Sequence, residues 1–193
     1  MGTGRVKPVF TVNKKDQING DVPGVARVLE RAVTQKGVSF VELSNGSPLL
    51  VVFLRHAGCS FCREALSDIS RSRPVIESGG SKILLVHMGD DAAMGVFLQK
   101  HHLEDIDRIV DPDQELYRAF GLKSGTAWQL FGSKVLWRAF LSGVLVKHGL
   151  GRVAADASQM PGVFYLEKGA VVRRFRHGSA ADRPDYVELS SRP

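Results

Sequence analysis

The sequence predicts an α/β fold with a central mixed sheet flanked by helices, and three observations predict it. Pro48 to Leu54 (PLLVVFL) and Lys82 to His87 (KILLVH) are continuous apolar runs bounded by turn residues, as in strands covered on both faces. Segments of helical spacing separate and follow them, and alternation of strand and helix argues for parallel pairs. Near the C-terminus, Val163 to Glu167 and Ala170 to Arg176 read as a hairpin around Lys168-Gly169, which adds antiparallel strands.

The elements follow in chain order. Residues 1–20 are polar, without a sustained period, and read as a flexible N-terminal arm; residues 21–193 read as one domain. Asp21-Val22-Pro23 resembles a helix entrance, Val25, Val28, Leu29 and Ala32 continue it, and Gly37 ends it. A short strand is predicted from Val38 to Leu43, with a turn at Asn45-Gly46. After the strand Pro48–Leu54 a helix runs from about Cys62 to Ser70. Gly89-Asp90 closes the strand Lys82–His87, and Ala92 to His101 is helical. Ile109-Val110 is a third strand, stopped by Asp111-Pro112-Asp113. Gln114 to Phe120 is a helix with Gly121 as its stop. Val135, Leu136, Phe140, Leu141, Val144 and Leu145 mark an insertion helix before the penultimate strand. Asp182 and Pro184 open a last helix through Leu189.

Composition excludes several classes. With 193 residues, 44% hydrophobic and 24% charged, the chain has the balance of a globular domain with a packed core. Two cysteines cannot make a disulfide framework. No stretch has signal-peptide or membrane-span length, so a cytoplasmic location is the expectation. The net charge of +6 comes from scattered basic residues that no nucleic-acid motif frames. The basic run from Arg173 to His177 reads as an edge strand kept soluble by charge.

Both cysteines fall in one stretch, VVFLRHAGCSFCREAL, where a buried strand gives way to a helix. A cysteine at that helix N-terminus meets free backbone N–H groups and the positive end of the dipole, which favour thiolate. Cys62, one turn after Cys59, lies within reach of it. The spacing suits a redox pair in which Cys59 attacks a substrate sulfur and Cys62 then displaces the product. Arg55 and His56 before the motif, and Arg63 after it, add positive charge that stabilises the thiolate where it faces the sulfur. A zinc site needs two further ligands; adjacent His101-His102 is a poor supply, and no metal is expected. A structural disulfide is disfavoured in a reducing compartment.

Three segments, FLRHAGCSFCRE, DPDQELYRAFGL and QMPGVFYLEKG, together resemble the peroxiredoxin-like branch of the AhpC/TSA family, within the thioredoxin-fold superfamily. Some members carry selenocysteine at the Cys-x-x-Cys positions. The resemblance covers about residues 23–178. It implies a thioredoxin-like fold with Cys59 as nucleophile and Cys62 as resolving residue. It also implies a cis proline at Pro161, facing the dithiol, with the backbone of Met160 holding a substrate chain. Ser60 and Phe61 would tune the redox potential and, with Met160 and Pro161, shape the substrate groove. True peroxiredoxins carry Pro-x-x-x-Thr/Ser-x-x-Cys before the attacking cysteine; this chain has Val52 and His56 at those positions, so their peroxide-binding arrangement does not carry over. Trp137-Arg138-Ala139 on the insertion helix also has family counterparts and reads as a helix covering the sheet or a dimer surface.

The expected function is a thiol–disulfide oxidoreductase acting on a disulfide of a protein or small molecule. It needs no bound cofactor and draws electrons from a thioredoxin or glutathione system. A thiol peroxidase or endoperoxide-lipid reductase is the alternative, and a non-catalytic thioredoxin-fold interaction protein is a third.

Overall fold

The computed structural model describes residues 10–11, 25–57, 59–126, 158–179 and 181–191. The expected entrance at Asp21-Val22-Pro23 and the insertion helix with Trp137-Arg138-Ala139 lie outside the described residues.

Six strands form one mixed sheet in the order β1-β6-β5-β2-β3-β4. They are β1 (Phe10–Thr11), β2 (Leu49–Phe53), β3 (Lys82–His87), β4 (Asp107–Val110), β5 (Gly162–Glu167) and β6 (Ala170–Arg176). β2 is central and runs parallel to β3 (Val51 opposite Leu84) and antiparallel to β5 (Val51 opposite Phe164). β3 and β4 are parallel, and β5 and β6 form the expected hairpin, closed by Lys168 (φ 50°) and Gly169 (φ 75°). Two consecutive left-handed residues suit a tight hairpin between twisted strands. Part of the N-terminal arm is ordered against the sheet, since Phe10 and Thr11 pair with Arg174 and Arg173.

The apolar runs are buried on both faces because helices cover both. On one face Leu50, Val52, Leu54, Ile83 and Leu85 pack with Leu66, Ile69 and Ile76 of α3 (Ser60–Ser78), with Met94 and Leu98 of α4 (Asp91–Lys100), and with Leu189 of the last helix, α6 (Tyr186–Ser190). On the other, Leu49, Val51, Phe53, Leu84 and Val86 meet Phe40 and Leu43 of α2 (Phe40–Gly46) and Leu116 and Tyr117 of α5 (Glu115–Ala119), with Val28 and Leu29 of α1 (Val25–Arg31) packed against them. Alternate residues of each strand thus serve two cores, as the period of two requires.

Two expectations are corrected. Val38 to Leu43 is not a strand: Ser39 caps α2, its hydroxyl accepting the Glu42 N–H at 3.1 Å. The Ser-x-x-Glu spacing of a helix start outweighs the short alternation of apolar residues. The helix after the cysteines continues to Ser78 through Pro74, well past Ser70.

Candidate active site

β2 ends at Phe53, and the chain passes through Leu54-Arg55-His56-Ala57 before α3 begins at Ser60. Cys59 occupies the N-cap position with extended backbone (φ −82°, ψ 117°), and its sulfur makes no capping hydrogen bond. The sulfur is held from the strand side, where Arg55 Nη2 donates to Cys59 Sγ at 2.9 Å. Cys62 lies one turn along, and its sulfur accepts the Arg55 backbone N–H at 3.2 Å. Both cysteines are free thiols, about 6% and 5% exposed.

The two sulfurs are driven apart in acidity. A hydrogen bond from the Cys62 thiol and the charge of Arg55 pull the Cys59 pKa well below the usual thiol value, against the opposing effect of burial; the Cys62 backbone N–H acts in the same sense. Cys62 is pushed well above it by donating to Cys59 and by burial. Arg55 loses basicity to burial but gains more from the two sulfurs, and it stays cationic. His56 behaves differently. It is buried, and burial holds its pKa below the ordinary histidine value. At neutral pH its imidazole is therefore uncharged, and Arg55 is the cation at the dithiol. Arg63 points elsewhere, donating to Ala57 O at 2.7 Å and stacking on Phe97 at 4.1 Å.

A small cleft open to solvent adjoins the sulfurs, bounded by Cys59, Cys62, Phe61, Pro161 and Val163 on one side. Its other wall is polar and was not singled out in the sequence. Glu64 and Asp68 of α3 face Arg183, whose Nη2 and Nε lie 2.5 and 2.8 Å from Asp68, and Glu64 is 3.6 Å from Arg183 Nη1. The signal for that wall is the recurrence of Glu64 and Asp68 at helical spacing after the dithiol.

Pro161 lines the cleft and Met160 packs beside it against Phe61, but their backbone geometry differs from expectation. No described peptide bond is cis, so Pro161 has the trans linkage that X–Pro bonds favour intrinsically. The Met160 N–H is already donated to Lys123 O at 3.2 Å, and its carbonyl accepts Gln159 Nε2 at 3.1 Å. The neighbouring Ser124–Gln159 bridge continues this pairing. The chain's own 123–125 segment thus takes the N–H expected to hold a substrate strand. Met160 offers its side chain instead, packed against Phe61.

Residues 68–179, more than half of the chain, match the family model described as AhpC/TSA antioxidant enzyme. The chain belongs to the AhpC/TSA family. The matched span begins at Asp68, beyond both cysteines, so the dithiol geometry is an observation independent of that match. The chain is 26% identical over 168 residues to prostamide/prostaglandin F synthase of Salmo salar, covering 83% of this chain and 80% of the relative. It is 24% identical over 175 residues to peroxiredoxin-like 2C of Bos taurus, covering 80% and 70%. Among solved structures, peroxiredoxin Q of Xanthomonas campestris is similar with a TM-score of 0.53 at 18% identity, covering 76% of this chain and 78% of that one. A secreted disulfide oxidoreductase of Mycobacterium tuberculosis is similar with a TM-score of 0.51 at 16% identity, covering 86% and 94%. These similarities show a thioredoxin-like fold of the peroxiredoxin-like branch.

Proposed function

We propose that this AhpC/TSA protein is a thiol–disulfide oxidoreductase. The observation that carries the reading is the Cys59 sulfur held at 2.9 Å by a buried Arg55 guanidinium, with the more basic Cys62 thiol beside it. Cys59 as thiolate attacks a substrate disulfide, forming a mixed disulfide and releasing one substrate thiolate. Cys62 then gives its proton to solvent and attacks Cys59 Sγ. The second substrate thiolate leaves and the Cys59–Cys62 disulfide remains, reduced in turn by a thioredoxin or glutathione system. Phe61, Pro161 and the Met160 side chain supply the apolar wall against which the substrate lies, with Ser60 beside them on the first turn of α3.

Substitution tests this directly. Cys59→Ser is expected to abolish turnover, whereas Cys62→Ser is expected to accumulate a mixed disulfide at Cys59, read by intact mass. A Cys62→Ser protein that turns over normally and traps nothing sinks the dithiol cycle.

A second reading, thiol peroxidase, is favoured by the family and by the activated thiolate lying in a small cleft. Cys59 would attack a peroxide O–O bond, release water or an alcohol, and pass as sulfenic acid to a disulfide with Cys62. Dimedone labelling of Cys59 in the Cys62→Ser variant after adding peroxide separates the readings: rapid labelling supports the peroxidase, and its absence removes it.

A further inference from the structure

The peptide unit joining Leu54 to Arg55 connects the sheet to the resolving cysteine. The Leu54 N–H donates to Val86 O at 2.8 Å, an ordinary step of the β2–β3 pairing, but the next bond slips by one residue. The Met88 N–H goes to Arg55 O at 3.1 Å rather than to Leu54 O, where a regular parallel ladder would take it. The Leu54 carbonyl accepts the hydroxyl of Tyr117 instead, which also reaches Val86 O at 3.2 Å. At the other end of the same peptide, the Arg55 N–H donates to Cys62 Sγ at 3.2 Å. Tyr117 O–H, the Leu54–Arg55 peptide and the Cys62 sulfur thus form one continuous chain of hydrogen bonds.

We propose that Tyr117 is a positioning residue for the resolving step: its hydroxyl turns and polarises the Leu54–Arg55 peptide so that the Arg55 N–H stabilises the Cys62 thiolate as it forms. The inference rests on the dithiol reading above. Donation to a peptide carbonyl strengthens the N–H of the same unit as a donor, and a donor aimed at a sulfur favours its charged form. Resolution runs through the thiolate, so Cys62, which burial still holds basic once Cys59 is bound in the mixed disulfide, is the sulfur that needs this help. The ring is well fixed for the task. Tyr117 is fully buried and packs edge-on against Phe53 at 4.9 Å. Asp111 seats the start of α5 by accepting the N–H groups of Glu115, Leu116 and Tyr117. Burial, then the nearby Cys62, raises the phenol pKa well above its usual value, so the hydroxyl remains a donor throughout the working pH range.

The test uses the reduced full-length protein and bis(3-carboxy-4-nitrophenyl) disulfide, followed by release of the coloured aryl thiolate. Cys59 releases the first equivalent in forming the mixed disulfide, and Cys62 releases the second as it closes the intramolecular disulfide. Tyr117→Phe keeps the ring and removes only the hydroxyl. It is expected to leave the first phase within about twofold of wild type while moving the pH midpoint of the second phase up by roughly half to one unit. At pH 7 the second phase then slows about 3- to 10-fold. Asp111→Ala, which loosens the helix start carrying Tyr117, is expected to give a smaller shift in the same direction. Phe120→Leu disturbs the same ring cluster, Phe120 lying 4.9 Å from Phe53, without touching the hydroxyl, and is expected to leave the second midpoint in place. An unmoved second midpoint in Tyr117→Phe and Asp111→Ala overturns the proposal, as does an equal shift in Phe120→Leu. Wild-type protein that releases a single equivalent overturns the dithiol reading itself, whatever the variants do.

Discussion

At the scale of single residues, two influences compete over the Cys59 sulfur. Burial opposes ionisation, while the Cys62 thiol and the Arg55 guanidinium favour it and prevail. A charge-assisted hydrogen bond contributes on the order of 1.5–3 kcal/mol, and about 1.4 kcal/mol is one pKa unit. Arg55→Met, which keeps the stem and removes the charge, is therefore expected to move the thiolate absorbance midpoint of Cys59 up by at least about one unit. It should also make the pair more reducing by roughly 30 mV per 1.4 kcal/mol, because the thiolate form loses its stabilisation. Titration at 240 nm and equilibration against glutathione read the two effects; an unmoved midpoint would show that the 2.9 Å contact does not govern acidity. The sequence placed Arg55 and His56 together as cations, and composition cannot separate neighbours. Burial does, because Arg55 finds two sulfurs to offset its desolvation, whereas burial outweighs the attraction of Cys59 for a His56 charge.

At the scale of elements, the strands were legible and the helix limits less so. Lys82–His87 is bounded by residues that stop it on either side, so its ends fall where the sequence put them. α2 is hard to read from sequence because Val38 to Leu43 carries both an alternating pattern and a Ser-x-x-Glu start, and only the cap geometry at Ser39 decides between them. α3 was cut short because its second half, SRSRPVIES, is polar and contains a proline. It stays helical because Ile76 is buried in the core beneath it and Ser70 Oγ bonds His101 O at 2.8 Å. Pro74 lacks the N–H that would reach the Ser70 carbonyl, and a proline in a helix interior costs roughly 3 kcal/mol. Pro74 is exposed, so little packing opposes its replacement. Pro74→Ala is expected to raise the unfolding free energy by about 1–2 kcal/mol in urea denaturation at unchanged m-value. A loss of stability would mean that the helix is bent there to seat Ile76.

At the scale of the whole molecule, the two cores follow from the continuous apolar runs and the parallel pairs from the alternation of strands and helices, whereas the thioredoxin-like order of elements is what the family resemblance implies. The β4 edge of the sheet is not legible in the sequence, because it is closed by the side chain and backbone of a single loop residue. Gln35 Oε1 accepts the Arg108 N–H at 2.7 Å, and the Gln35 N–H donates to Arg108 O at 3.0 Å, so one residue occupies the free face of β4. The same strand carries a feature that links the fold to pH. Arg108 pairs with Asp91 at 2.6 and 2.9 Å, and Asp91 lies 3.3 Å from Nε2 of the fully buried His87. Burial lowers the His87 pKa more strongly than Asp91 raises it, with Arg108 also lowering it; His56 is likewise held low by burial. A base whose pKa is lower in the folded state binds more protons when unfolded, so its contribution is complete above the unfolded histidine value near 6.5. It is lost as pH falls from there toward the folded value. The melting temperature is therefore expected to fall by several degrees between pH 6.5 and 5 through these histidines, about 1 kcal/mol corresponding to roughly 2–4 °C for a domain this size. This fall comes on top of a slope that Cys59 imposes up to the unfolded thiol value near 8.5, because its pKa is held low only in the folded state. Asp91, whose pKa is lowered first by Arg108, adds its loss only at lower pH, as acid passes through the carboxylate range. His87→Gln removes the buried base and keeps a hydrogen-bonding side chain, so its melting curve should lose part of the slope between pH 6.5 and 5 whatever its stability at pH 7. A slope equal to wild type would assign the acid sensitivity to groups other than His87.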